Sequence, residues 1–121
     1  MLAGGSVAWI YTTDAVEHVA LNTLHSDVTL GVCEDMSMVN RTLEAIPACP
    51  MLNANIAYGD ESVQDTLIDE THGHKVLLLQ CKPLLKLGRE SGKDVELQGR
   101  IKKVKPGHAC CLVCASGTTG N

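Results

Sequence analysis

Residues 94–104, Asp94-Val95-Glu96-Leu97-Gln98-Gly99-Arg100-Ile101-Lys102-Lys103-Val104, alternate polar and apolar side chains through Ile101. A period of two puts every second side chain on one face of an extended chain, so the run predicts a β-strand with a charged outer face. Pro106-Gly107 follows as a tight turn, and 108–115 returns with Leu, Val, Ala and Cys, which predicts an antiparallel partner strand. Upstream, Lys75-Val76-Leu77-Leu78-Leu79-Gln80-Cys81 is a nearly unbroken apolar run, as expected of a strand covered on both faces. A polar turn at 88–92 separates the two, and the C-terminal third reads as an antiparallel meander.

The first half changes period. Asp14 with Glu17 three residues on has the form of a capping box, and Val16, Val19, Ala20, Thr23 and Leu24 share one helical face. These residues predict a helix over 15–25, with a start as early as Ser6 left open. From Val28 the period is two again: Val28, Leu30, Val32, Met36 and Met38 alternate with Thr29, Gly31, Cys33, Asp35 and Ser37, a strand with a bulge or an end near Glu34. Between 41 and 74, Pro47 and Pro50 bracket Cys49 as a loop. The acidic start of 61–70, with Val63, Leu67 and Ile68 at helical spacing, predicts a short helix in an insertion. The sum is an α+β fold over a single domain, 1–121, in which a long antiparallel β-sheet packs around or against one main helix.

Composition narrows the function classes. A net charge of -4 with 20% charged residues gives no basic surface for nucleic acid. With no Phe, one Trp (Trp9) and two Tyr (Tyr11, Tyr58), the chain cannot build an aromatic base-stacking platform, and its core must come from Val, Leu, Ile, Ala, Met and Cys. No apolar run reaches the roughly 20 residues of a membrane span. The first ten residues hold no Lys or Arg, so no membrane partner and a cytoplasmic location are expected. On that basis the six cysteines read as reduced thiols acting as small hydrophobes.

A helix wrapped by a long antiparallel sheet resembles the hotdog fold of acyl-CoA thioesterases, and two stretches carry the likeness. Gly4-Gly5-x-x-x-Trp9-Ile10 looks like that family's Gly-Gly turn and apolar helix start. Lys93-Asp94-Val95-x-Leu97-x-Gly99-Arg100-Ile101, preceded by Leu84 and Gly88, is similar to its strand after a Gly-Asp pair. The resemblance implies thioester hydrolysis of an acyl-CoA or similar substrate without a cofactor. Asp14 or Glu17 would be the carboxylate that positions or deprotonates water. Gly4 and Gly5 would bind substrate by offering backbone N–H groups to the thioester carbonyl, provided the helix begins at Ser6 and not at Ala15. Hotdog sites form between subunits, so a homo-oligomer, a dimer or tetramer, is implied.

Two other classes remain. A non-enzymatic oligomeric assembly or binding protein needs no catalytic carboxylate. A small metal-binding protein would use His108-x-Cys110-Cys111-x-x-Cys114, whose Cys111-x-x-Cys114 has the spacing of a zinc half-site. On a strand, however, Cys110 and Cys114 face one way and Cys111 the other, so the thiols do not converge and no metal ligand is assigned. His72-x-His74 reads as a solvated turn before the apolar run.

Overall fold

The computed structural model describes residues 3–59, 64–69 and 74–114. Its elements are β1 (Val7–Trp9), α1 (Val16–His25), β2 (Leu30–Cys33), α2 (Met36–Ala45), a 3₁₀ turn (Ile46–Ala48), β3 (Ala54–Ala57), β4 (Thr66–Asp69), β5 (Lys75–Gln80), α3 (Cys81–Glu90), α4 (Asp94–Lys103) and β6 (Cys111–Val113). Among the described residues the expected long antiparallel sheet does not form. A four-stranded sheet runs β2-β3-β5-β4, with β2, β3 and β5 parallel and only the edge strand β4 antiparallel to β5. A separate two-stranded ribbon pairs β1 with β6, also in parallel.

The meander fails because the alternating run of 94–104 is helical. Leu97 and Ile101, four residues apart, satisfy the helical period as well as the strand period, and two electrostatic effects then favour the helix. Asp94 and Glu96 lie in the first turn of α4 and Arg100, Lys102 and Lys103 in the last, each sign at the end of the macrodipole that favours it. Arg100 also reaches Glu96 one turn back at 2.7 Å. The expected turn at 88–92 is likewise displaced, since α3 runs through Gly88 and the chain reverses at Gly92, where φ is +66°. Strand β6 forms inside 108–115 but pairs with β1 and not with 94–104.

Parallel strands need crossovers, and α2 supplies one between β2 and β3. The alternation beyond Glu34 ends as a strand at Cys33, because the Asp35 carboxylate accepts the Met38 N–H at 2.9 Å and caps α2. The middle of the chain, expected as an insertion, contains the central strand instead: all four residues of β3 are buried between β2 and β5. Of the helix expected over 61–70, residues 66–69 form β4, while 61–63 and 70 lie outside the described residues, as does His72.

Helices α1 and α2 pack on one another and close the core. Val19, Ala45, Ile46, Cys49, Leu52 and Val76 form one cluster, and Cys33, Val39, Ala57 and Leu78 a second against the sheet. The core is aliphatic and thiol, as the absence of Phe requires. By contrast α3 and α4 bury no residue. Among the described residues no helix is long and apolar enough to cross a membrane.

Candidate functional site: a cleft between two strand edges

The edges of β1 and β2 belong to different sheets. A cleft of about 820 Å³ separates them, with Ala8, Trp9 and Ile10 on one side, Leu30, Gly31 and Val32 on the other, and Val19, Thr23 and Leu52 among its lining. Its polar lining includes Thr12, Arg41 and Tyr58.

Arg41 holds the loop that follows β1. From α2 its guanidinium donates through Nη1 to the carbonyls of Thr12 and Asp14 (3.1 Å to the latter), and through Nε to the carbonyl of Ser37 at 3.4 Å. One guanidinium nitrogen thus ties down two carbonyls of the loop while Nε anchors the side chain to its own helix. The loop is further closed by a turn in which the Asp14 N–H donates to the Tyr11 carbonyl at 3.0 Å and the Asp14 carboxylate accepts the Tyr11 N–H at 3.3 Å.

This turn places the residues singled out by sequence. Asp14 is half-buried and engaged with Tyr11, so the capping box with Glu17 does not form. The N-cap of α1 is Ala15, without a side-chain hydrogen bond, and Glu17 is exposed in the first helical turn. The helix starts at Val16, and β1 intervenes between it and the glycines, so Gly4 and Gly5 do not sit at a helix N-terminus. Gly4 has φ of +92° and open space around it, while Gly5 lies at the mouth of the cleft. The structure therefore brings Gly5 to the cleft but brings neither carboxylate together with the glycine pair as an oxyanion site.

Sequence reasoning missed Gly31, Asn55 and Arg41. A Cβ on Gly31 would lie 2.0 Å from Asn55 Oδ1, so the Asn55 carboxamide lies beside Gly31, which itself lines the cleft. Asn55 is fully buried, and neither its Oδ1 nor its Nδ2 has a hydrogen-bond partner among the described residues. The signal was present, since an isolated glycine inside a strand pattern marks a close approach. Arg41 gave none beyond its place in the formal sequon Asn40-Arg41-Thr42.

The thiols differ in exposure, with Cys81 and Cys114 half-buried. Cys33 and Cys49 are buried, as small hydrophobes should be. Burial raises the Cys33 thiol above its ordinary value, with partial relief from the Thr42 hydroxyl 3.6 Å away, and raises Cys49 likewise, with relief from Thr23. Cys110 and Cys111 depart from the expected apolar filling because both are exposed, and the neighbouring Cys110 thiol raises that of Cys111. Among the described residues no three His, Cys, Asp or Glu side chains gather as a metal site.

No family model matches the chain, and no solved structure matches it. Among curated proteins it is similar to the long-chain-fatty-acid--CoA ligase ACSBG2 of Xenopus laevis, at 28% identity over 120 residues. The similarity covers 99% of this chain but only 15% of the relative, so the chain spans a small part of that protein's length.

Proposed function

We propose that the chain binds long-chain fatty acyl groups as their CoA thioesters and holds them in the cleft between β1 and β2. The observation that carries this is the similarity, along 99% of the chain, to a protein named for joining a long-chain fatty acid to CoA. The cleft supports it. Its volume of about 820 Å³ lies within the roughly 300–1,000 Å³ usual for small-molecule sites. Aliphatic side chains from Ile10, Val19, Leu30, Val32 and Leu52 line it, with Arg41, Thr12 and Tyr58 among its polar groups, an amphipathic wall suited to an amphipathic ligand. Binding is assigned to the cleft, and hydrolysis is not assigned to Asp14, whose carboxylate is taken up by the Tyr11 N–H.

Calorimetric titration of the purified chain with palmitoyl-CoA, CoA and palmitate, each below its micellar concentration, tests this. Palmitoyl-CoA binds saturably and more tightly than either half. Absence of saturable palmitoyl-CoA binding would overturn the proposal.

A further inference from the structure

We infer that the facing edges of β1 and β2 form the site for the amide-bearing pantetheine arm of the thioester, which lies between them as a surrogate strand; this rests on the acyl-CoA reading above. The backbone hydrogen bonds give the direction of each edge. The Thr29 carbonyl accepts the Asn53 N–H at 2.9 Å and the Cys33 carbonyl accepts the Tyr58 N–H at 3.0 Å, so the odd-numbered residues of β2 turn their peptide groups toward β3. By the period of two, the N–H and C=O of Leu30 and Val32 point the other way, to the cleft. On β1 the Val7 N–H donates to the Cys110 carbonyl at 3.0 Å, which turns Val7 and Trp9 toward β6 and leaves Ala8 facing outward from the ribbon.

The cleft is therefore bordered by the peptide groups of Leu30 and Val32 on β2 and of Ala8 on β1, which have no backbone partner among the described residues. A bare hydrocarbon laid along these edges would bury them unpaired, which is unfavourable. An extended chain carrying its own amides matches them, by the same pairing that adds a peptide strand to a sheet edge. Pantetheine has two secondary amides joined by methylenes, each with one N–H and one C=O, and its hydrocarbon parts fit against Leu30 and Val32, whose side chains are 49% and 59% exposed. The acyl chain is then left to the apolar floor at Val19 and Leu52.

Residue-resolved amide exchange on the isotopically labelled chain tests this, with pantetheine, palmitoyl-CoA and palmitate as separate probes. Pantetheine and palmitoyl-CoA slow exchange at Leu30 and Val32 by about tenfold or more, palmitate does not, and Gly31, already turned toward β3, is unchanged. Binding of palmitoyl-CoA with no change at Leu30 and Val32 overturns the inference and leaves the acyl-CoA reading standing. Slow exchange at these two amides in the free chain also overturns it, since β1 and β2 would then pair directly. Failure of palmitoyl-CoA to bind removes the acyl-CoA reading itself.

Discussion

Replacing Gly31 by alanine sets a methyl carbon 2.0 Å from Asn55 Oδ1 and 3.2 Å from Asn55 Cγ, the first more than an ångström inside van der Waals contact. The carboxamide has no easy retreat. Asn55 is fully buried on the central strand, with Ala54 and Ile56 on either side of it also buried. Gly31→Ala therefore costs about 1–3 kcal/mol of overpacking, seen as a fall of roughly 5–10 °C in Tm. Asn55→Ala is closer to neutral, because the packing it loses is offset by removal of two buried polar atoms that have no partner. In the Asn55→Ala background the Gly31 methyl enters the space that the carboxamide leaves, so the penalty there falls near zero. Urea and thermal unfolding of the wild type, both single variants and the double variant give the coupling directly. An equal penalty in the two backgrounds, or a Gly31→Ala change below about 0.5 kcal/mol, would refute the packing account.

Arg41→Met keeps the aliphatic stem and removes the donors to Thr12 and Asp14; it should cost about 1–2 kcal/mol and speed amide exchange in residues 11–15, checked by denaturation and exchange. The thiols should separate by reactivity: Cys110 and Cys111 are alkylated in the native state, whereas Cys33 and Cys49 react only on unfolding, read by mass spectrometry of quenched digests. The same burial gives a pH dependence. Because the folded Cys33 and Cys49 thiols titrate above the ordinary 9.0, their contribution is complete below that value and is lost as pH rises past it, so the unfolding free energy should decline above about pH 9.

Some of the fold is legible without coordinates. The apolar face from Val16 to Leu24 places α1 within one residue, and the apolar run at 75–81 places β5. The failures share a physical cause, which is that one set of residues satisfies two periods. Leu97 and Ile101 fall on one face of a strand and are also one helical turn apart, and the end charges of α4 and the Glu96–Arg100 pair separate the alternatives. Met36 and Met38 continue the β2 alternation, yet Asp35 caps a helix there. β3 was invisible because Ala-Asn-Ile-Ala has no amphipathic pattern when both faces are covered. At the site, Gly4 and Gly5 are expected at a helix start, whereas β1 follows them and Gly5 lines the cleft. The strand edges were not legible, since unpaired peptide groups leave no mark in side-chain sequence.

Trp9 is the sole tryptophan, lines the cleft and is 60% exposed, so its emission reports on occupancy of the proposed site. Titration with monomeric palmitoyl-CoA should shift that emission saturably to shorter wavelength. In Val32→Asp, a change at an exposed side chain that leaves the fold intact, the apparent Kd should rise by about tenfold, or ~1.4 kcal/mol. An emission spectrum indifferent to palmitoyl-CoA, or a Val32→Asp variant that binds as the wild type does, would contradict acyl-CoA binding between β1 and β2.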